Sequence, residues 1–335
     1  MKKALVLLLP AFIIAGCSSG EEITLHLSYG DRTGVYSGDM KDGIPDGQGK
    51  FTSKNDEGES WTYTGTFKDG HFEGDGETVW KSGGREVGTY ENDVLVPMEG
   101  DELNGLFTKT EDYVDHCIKM KAQCFTSPEK DEDGNYIVQA HPIIDDETAA
   151  NDLLWLYVPA GEFSIKADSY FEFTGKVADE GESQNNFGST LTAPAVAVTD
   201  YQILDYKDAL SPTEVELNPN MTQNQNGLEI TVNKVEFSKK ETRVYLTVKN
   251  TTQDSWGVYG ISAKIVQDGK QYEEEMNYNA DYEELPYDIL PGVSATGIIS
   301  YPAVERKDFT FVIDTFSDNY DVGEKTFSFD IKYTK

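Results

Sequence analysis

A glycine-rich pattern repeated near the amino terminus most constrains the fold of this 335-residue chain. A segment that begins at Tyr36 recurs at Tyr63, and four glycines match at a fixed offset of 27 residues. The matching glycines are Gly38, Gly43, Gly47 and Gly49 in the first copy and Gly65, Gly70, Gly74 and Gly76 in the second. A degraded third copy follows at 88–93. Such short repeats predict units that stack, because one unit cannot bury its own apolar face.

Each copy has the pattern of a β-hairpin. Lys41-Asp42-Gly43 and Lys68-Asp69-Gly70 supply residues that accept the positive φ of a tight turn. The Gly-x-Gly pairs remove side chains on one face, so rings such as Tyr63 and Phe67 are expected to lie across the neighbouring backbone. The pattern resembles the MORN repeat (membrane occupation and recognition nexus), which implies an aromatic strand, a turn and a Gly-x-Gly return strand. We therefore predict a MORN-repeat β-hairpin domain over residues 17–100.

The middle segment, residues 101–206, has a sequence pattern typical of a small β-barrel. Its strand-like stretches are 113–125, 136–141, 153–158, 170–177 and 195–206. Five strands with a long first one, together with Phe173–Val177 and Thr192–Val196, resemble an OB-like barrel of Gram-positive lipoproteins. Another small antiparallel sandwich is the alternative. The acidic stretch Asp131–Asn135 is predicted to be a hairpin turn, since it lacks the twelfth-position Glu of an EF-hand.

The carboxy-terminal segment, residues 227–335, alternates apolar and polar side chains in five runs. The runs are 228–232, 244–248, 261–265, 309–313 and 327–333. Alternation of this kind predicts strands with one buried face, and their spacing favours an immunoglobulin-like β-sandwich. The stretch Glu229–Phe237 followed by Thr242–Asn250 resembles an Ig-like domain of unknown function found in Gram-positive surface lipoproteins. Residues 207–226, with Pro212, Pro219 and a Gln/Asn-rich stretch, are predicted to be a linker. The whole chain is thus predicted to be all-β.

The first residues indicate export and anchoring. Lys2 and Lys3 precede an apolar run, Ala4–Ile14, which is shorter than the roughly 20 residues that span a bilayer. The following Ile14-Ala15-Gly16-Cys17 resembles a bacterial lipobox, which implies cleavage after Gly16 and a diacylglyceryl thioether on Cys17. We therefore predict a lipoprotein signal peptide at 1–16 and a lipid anchor that holds the chain outside the cell membrane. An ordinary cleaved signal is the alternative.

The charge limits the classes of partner. The formal net charge is −32, from 60 acidic and 28 basic residues. Such a field disfavours nucleic acid and anionic lipid headgroups, and it favours cations or basic partners. Solubility alone also accounts for an acidic surface.

The sequence does not decide whether Cys117 and Cys124 form a disulfide. An extracytoplasmic setting permits a disulfide. In one straight strand, seven steps hold the two residues about 23 Å apart on opposite faces. A disulfide needs Cα atoms within roughly 7 Å, so pairing requires a bend between them.

The sequence contains little that indicates catalysis. Its four histidines are far apart and have no metal-ligand spacing, and we predict no metal and no cofactor. His116 and His141 lie on neighbouring predicted strands, which leaves a hydrolase as the third hypothesis. Trp155 and Tyr157 alternate on one strand and are a candidate stacking platform for a ligand, with packing in the core as the alternative.

These observations lead to one main functional hypothesis. We expect a non-catalytic, lipid-anchored, extracytoplasmic adaptor that binds another envelope protein or a wall component. The second hypothesis is a lipoprotein that binds a small ligand or a divalent cation through its acidic loops or barrel face. The third is an envelope hydrolase.

Overall fold

The structure of the chain is a computed structural model that describes residues 20–184 and 190–333. Strands dominate the described residues, which confirms the predicted all-β class. The chain divides into two compact units. One comprises the residues up to Lys119 together with Thr174–Glu180, and the other comprises Met120–Phe173 and the residues from Gly181 onward.

The amino-terminal residues form one antiparallel sheet in which seven strands follow the order of the chain. The strands are β1 Glu21–Leu27, β2 Gly30–Lys41, β3 Ile44–Lys54, β4 Ser60–Lys68, β5 His71–Trp80, β6 Arg85–Glu91 and β7 Val94–Leu95. The predicted hairpin turns are present, with positive φ at Asp42 and Gly43 and again at Asp69 and Gly70. Two residues with positive φ are what a type I′ hairpin turn requires.

Aromatic rings form the core on one face of this sheet, and glycines make room for them. The Tyr63 ring stacks on Phe72 with centroids 3.9 Å apart. A Cβ at Gly76 would lie 2.5 Å from the Tyr63 ring, and one at Gly49 would lie 2.5 Å from the Tyr36 hydroxyl. The expected packing of Tyr63 across glycine backbone is therefore confirmed, since any larger residue at these glycines would displace the rings.

The next strands close into a small barrel. Two 3-10 helices, Gly100–Leu103 and Thr110–Tyr113, precede it. The strands are β8 Cys117–Cys124, β9 Glu129–Lys130, β10 Tyr136–Ile144, β11 Glu147–Thr148, β12 Leu154–Val158, β13 Tyr170–Gln184 and β14 Thr190–Leu204. The sheet order is β11-β10-β12-β14-β13-β8, and an added β10–β8 pairing closes the ring. Strands β12 and β14 run parallel. All five predicted strands are found, while the OB-like assignment stays a prediction.

The predicted linker, residues 207–226, is ordered secondary structure instead. It contains most of helix α1 Tyr206–Leu210 and the strands β15 Val215–Leu217 and β16 Met221–Gln225. Both strands pair with the strand that follows them in the chain, β17 Leu228–Phe237. Strand β16 is an edge strand made mostly of polar residues, of which Thr222 and Asn224 are exposed, and this is why the composition suggests a linker.

The carboxy-terminal residues form a two-sheet sandwich. After β17 come β18 Glu241–Asn250, β19 Trp256–Val258, β20 Lys264–Gln267, β21 Lys270–Glu273, β22 Asp288–Ile289, β23 Ser294–Pro302, β24 Phe309–Ser317 and β25 Glu324–Ile331. One sheet has the order β15-β17-β18-β23 with β16 beside β17, and the other β21-β20-β24-β19-β22 with β25 beside β24. Three predicted runs lie wholly in strands, and a fourth, 327–333, extends two residues beyond β25. In the remaining run Ile261 belongs to a 3-10 helix, Gly260–Ser262, and is exposed. The Ig-like assignment stays a prediction.

Candidate interaction surface

The outer face of the amino-terminal sheet carries a row of small uncharged side chains. Val35, Thr52, Thr62 and Val79 lie opposite one another in register across β2, β3, β4 and β5. Because successive side chains alternate between faces, this row lies on the face opposite the ring of Tyr63. Val35 is 48% exposed and Val79 is 39% exposed. We call these four residues the Val/Thr row.

One hydroxyl pair lies within the Val/Thr row and another lies beside it. Inside the row, the hydroxyls of Thr52 and Thr62 are 3.0 Å apart. Beside it, the hydroxyls of Thr24 and Thr33 are 2.8 Å apart. The surface thus presents methyl groups and hydroxyls at the regular spacing of neighbouring strands, about 4.8 Å.

A groove of about 400 Å³ adjoins one end of the Val/Thr row. It is lined by residues 31–34, 52–54, 56 and 60. Arg32 lies in it beside Asp56, with Nη2 3.3 Å from Oδ1, and Lys54 supplies a second cation. The groove shares Thr52 with the row, so the two features form one continuous surface.

A buried carboxylate connects distant parts of the same sheet. Asp93 is buried, and its Oδ1 accepts a hydrogen bond from the Phe72 backbone N–H at 2.7 Å. Its Oδ2 accepts one from the Ser28 N–H at 2.7 Å and lies 2.8 Å from His71 Nδ1. Burial and the nearby Asp93 raise the pKa of Tyr29 to about 12. These contacts join the turn after β1 to the start of β5, two strands that are not neighbours in the sheet.

The predicted platform residues lie on the outer side of strand β12. Tyr157 is 39% exposed, and Trp155 is half-buried. The Trp155 ring packs so closely that a Cβ at Gly181 would lie 2.9 Å from its Cδ1. Its Nε1 is enclosed and has no hydrogen-bond partner among the described residues. The two side chains share a face, as expected, but only Tyr157 presents an open ring.

The two histidines of the hydrolase hypothesis are engaged separately. His141 lies opposite Gln123 in the β10–β8 register. Its Nδ1 is 2.8 Å from the Asp152 carbonyl, and its ring stacks on Phe125. His116 Nδ1 is 3.2 Å from the Val114 carbonyl. Both rings therefore have backbone partners of the kind that hold a structural histidine.

The remaining predicted residues are two cysteines in a strand, an aspartate in a turn and the predicted anchor residue. Cys117 and Cys124 are the first and last residues of strand β8, and both are free thiols. Burial raises the pKa of each thiol. Asp131 closes the predicted hairpin turn by accepting hydrogen bonds from Asp133 and Asn135. Cys17, the predicted lipidation residue, lies outside the described residues.

The sequence did not reveal a buried charge network in the sandwich. Arg243 is fully buried; its Nε donates to Glu236 Oε2 at 2.9 Å and its Nη1 to Glu241 Oε1 at 2.7 Å. Burial alone would raise the pKa of Glu236, but hydrogen bonds from Lys234 and Tyr245 and the charge of Arg243 lower it to about 2. Glu236 and Arg243 stand opposite each other on β17 and β18. The sequence shows several charged residues in each of these two strands, and nothing in the pattern marks Glu236 and Arg243 as the buried ones.

Within residues 20–184 and 190–333, no helix is long and apolar enough to cross a membrane. The same residues contain no group of three or more His, Cys, Asp or Glu side chains that could hold a metal ion.

Several solved structures show a distant likeness to the chain. A functionally unknown protein from Listeria monocytogenes EGD-e is 10% identical, with a TM-score of 0.31, over 37% of this chain and 88% of that one. A conserved domain protein from Bacillus anthracis is 9% identical, with a TM-score of 0.28, over 90% of each chain. The secreted serine protease VesC from Vibrio cholerae is 12% identical, with a TM-score of 0.24, over 89% of this chain and 71% of that one. TM-scores this low carry no argument about fold or activity.

Sequence comparisons identify one family within the chain. No curated protein matches the chain. The sequence model of the MORN repeat family matches residues 36–57 and 63–85. These ranges cover the two glycine-rich copies and most of their hairpins, and they include Thr52 and Val79 of the Val/Thr row. The amino-terminal sheet of this chain is therefore built on MORN repeats.

Proposed function

We propose that this protein is a non-catalytic binding protein of the cell envelope that is lipid-anchored through Cys17. Its MORN sheet would contact another envelope protein or a wall component through the Val/Thr row and the adjoining groove. The observation that carries the proposal is this row, an uncharged strip with two exposed valines in a chain with a net charge of −32.

The chemistry of the surface supports contact with a neutral partner. Exposed Val35 and Val79 supply apolar area, and Thr52 and Thr62 supply hydroxyls that both donate and accept hydrogen bonds. The backbone of a seven-stranded sheet holds these groups in place, so little side-chain entropy is lost on binding. MORN repeats are consistent with a role at a membrane or another surface.

The contact is tested by placing charge on the row. In cells producing the full chain, we expect Val35→Lys and Val79→Lys to abolish the specific crosslinked product seen with the unmodified protein, because a lysine must be desolvated on binding. Val94→Lys is the matched control, since Val94 is 57% exposed on β7 of the same sheet and lies outside the row. Equal crosslinking by all three variants would exclude the row as the contact surface.

The anchor is tested independently. We expect Cys17→Ala to release the protein from membranes into the medium, and mass spectrometry of the unmodified protein to show an acylated terminus at Cys17. An unacylated and uncut terminus would disprove anchoring without affecting the test of the sheet. The cation-binding and hydrolase alternatives stay predictions.

A further inference from the structure

One long edge of the amino-terminal sheet has no neighbour. Strand β1, Glu21–Leu27, pairs with β2 over its seven residues without a bulge. Within residues 20–184 and 190–333, no strand pairs with its other side, and no backbone hydrogen bond from a turn or loop reaches it. Every second residue of an antiparallel strand directs its N–H and C=O groups to the same side. The edge of β1 therefore presents a row of backbone donors and acceptors.

The opposite edge of the same sheet is covered by the chain. The Val87 N–H of β6 donates to the Asp115 carbonyl at 3.0 Å. Beyond the short strand β7, the Met98 N–H donates to the Cys117 carbonyl at 2.8 Å. The residues that follow the sheet thus satisfy backbone groups on this side, which is one way in which natural proteins protect a sheet edge.

Two long edges of the sandwich are covered as well. Gln223 and Gln225 of β16 donate side-chain hydrogen bonds to the backbone of β25. The Ile298 N–H of β23 donates to the Glu283 carbonyl, in the loop before β22, at 2.8 Å. Since the described part of the chain protects these edges but not β1, the open edge distinguishes the amino-terminal sheet.

The residues that precede β1 are too few to cover its edge once the proposed cleavage after Gly16 has occurred. Three residues, Cys17–Ser19, then remain before Gly20. Three extended residues reach about 10 Å, whereas a strand of seven residues is about 23 Å long. This step rests on the proposed function, because it uses the anchor at Cys17. It leaves the edge to a second molecule.

The sequence of β1 is complementary to itself in one antiparallel register. Leu25 is buried on the core face, and side chains keep their face only if odd-numbered residues stand opposite odd-numbered ones. When Thr24 stands opposite Thr24 of a second copy, all seven residues pair, Ile23 faces Leu25, and Glu22 faces His26. A shift by two residues shortens the overlap and separates Glu22 from His26.

The side chains that meet in this register suit one another. Glu22 and His26 are both exposed, and one is acidic while the other is basic. Nδ1 of the His26 ring lies 2.8 Å from Asp31 Oδ1, so Nε2 is the ring nitrogen that meets the Glu22 carboxylate. Ile23 is half-buried in the single chain, and its contact with Leu25 would remove further apolar surface from water.

The net charge of −32 opposes the association of two copies, but only over a short range. At physiological ionic strength the Debye length is about 8 Å, so charges far from the edge are screened. At the edge itself, the two-fold symmetry brings each Glu22 to a His26. These two contacts supply charge complementarity at the place where the copies meet.

We propose that β1 is a dimerisation edge at which two copies of this chain join their amino-terminal sheets into one continuous antiparallel sheet. The two-fold axis passes between the two Thr24 residues, so the same residues of both copies form the contact and it closes with two molecules. Main-chain hydrogen bonds supply the affinity, and the Glu22–His26 contacts fix the register. The Val/Thr rows of both copies then lie on the same side of the joined sheet.

The test is disulfide crosslinking in cells that produce the full chain, with dimers counted on a non-reducing gel after mild oxidation. Thr24 faces its own copy across the axis with Cα atoms about 4.5–5.5 Å apart, a distance that a disulfide can bridge. We therefore expect Thr24→Cys alone to give a linked dimer well above the background of the unmodified chain.

Thr33→Cys is the matched control. Thr33 stands opposite Thr24 on β2 and is also exposed, with the two hydroxyls 2.8 Å apart. In the proposed dimer the two Thr33 residues are three strand spacings apart, about 14 Å, which is too far for a disulfide. We expect at least about tenfold less dimer from Thr33→Cys than from Thr24→Cys.

A pair of variants tests the register. Glu22→Cys and His26→Cys should each give only background when produced alone, because each faces a different residue of the second copy. Produced together in one cell, they should give a mixed dimer. A linked dimer from Glu22→Cys alone would overturn the two-fold register centred on Thr24.

A charge substitution tests the same edge without crosslinking. Thr24→Lys places two ammonium groups opposite each other, and we expect it to raise the Kd of the purified dimer about fivefold in sedimentation experiments. Thr33→Lys changes the net charge equally and should have less than about a twofold effect. Equal effects of the two variants would count against β1 as the contact.

The failure of this proposal is distinguishable from the failure of the anchor. Background crosslinking by Thr24→Cys in protein that mass spectrometry shows to be acylated at Cys17 would overturn the dimer and leave the anchor intact. Strong crosslinking in unacylated protein would support the edge contact and disprove the anchor. Equal crosslinking by Thr24→Cys and Thr33→Cys would attribute the dimers to random collision and overturn the proposal.

Discussion

The MORN sheet and the carboxy-terminal sandwich bury charge in opposite ways. The sheet buries one carboxylate, Asp93, and satisfies it mainly with backbone N–H groups. The sandwich buries Arg243 together with Glu236 and Glu241, and satisfies them with side chains. The first arrangement needs correct strand register, whereas the second needs partners that are complementary in charge. Losing one member should therefore cost more in the sandwich than in the sheet.

Their apolar cores differ in a related way. The core of the sheet consists of rings packed over glycine backbone, as Tyr63 packs over Gly76. The core of the sandwich is a cluster of aliphatic and phenyl side chains from both of its sheets, among them Val244 and Phe311. The sheet is thus most sensitive to added volume at its glycines, and the sandwich is most sensitive to removed charge partners. The following substitutions test this contrast.

Arg243→Ala should have the largest effect. It leaves Glu236 and Glu241 buried without their cation, which costs about 3–5 kcal/mol of unfolding free energy. Hydrogen exchange should show lost protection in 228–250 and retained protection in 60–80. Lys249→Ala is the control, because Lys249 and Glu229 form an exposed pair at 4.0 Å and its loss costs under about 1 kcal/mol. Equal effects of the two substitutions would refute the contrast.

Gly76→Ala should rank next. The new methyl group would lie 2.5 Å from the Tyr63 ring, which stacking on Phe72 holds in place. Overpacking of this kind costs about 2–3 kcal/mol, and the faster exchange should be confined to 60–80. Gly84→Ala is the control, because its methyl group would meet only ordinary contacts at 3.8 Å or more. A tolerated Gly76→Ala would show that the rings are free to shift.

Asp93→Asn should cost less, about 1–2 kcal/mol. The amide oxygen of the new Asn can still accept a hydrogen bond from one backbone N–H. Its NH₂ group then points at the other backbone N–H, so two donors face each other and one hydrogen bond is lost. Urea unfolding followed by fluorescence measures the loss. A cost as large as that of Arg243→Ala would contradict the view that backbone donors make the sheet the more tolerant of the two.

Acid should affect the sandwich network only at low pH. The pKa of Glu236 is about 2 in the folded chain against 4.5 for an ordinary Glu. Its stabilising contribution is therefore complete above pH 4.5 and is lost as the pH falls towards 2. Thermal melting between pH 6 and pH 2 should show the destabilisation, and Glu236→Gln should flatten the curve. An unchanged curve for the variant would assign acid sensitivity to other groups.

The packing of the MORN sheet can be predicted from the sequence, whereas the buried charges of the sandwich cannot. The glycines that match at an offset of 27 residues reflect a local packing requirement, because each ring packs over a glycine of the same hairpin. This requirement can be read from the sequence, and the predicted hairpins and ring packing are confirmed. Alternation likewise reveals strands such as Leu228–Phe237, because each strand has one buried face.

The partners of Arg243 could not be predicted in this way. They come from residues as distant as Ser211 and Tyr282, and only the tertiary fold brings them together. The predicted linker failed because edge strand Met221–Gln225 has a polar pattern, and its Gln223 and Gln225 side chains donate to the backbone of β25. The Val/Thr row also needs register, since single threonines in separate strands do not indicate a surface.

The free thiols of strand β8 bear on how the protein matures. Cys117 and Cys124 stand at opposite ends of one strand, and their raised pKa values keep both mostly protonated. Protonated thiols are poor nucleophiles, so we expect both to react slowly with oxidants and in thiol–disulfide exchange. In the folded chain the two thiols stand at opposite ends of one strand and are too far apart to pair with each other, so an oxidising surrounding would leave the strand without a disulfide between them.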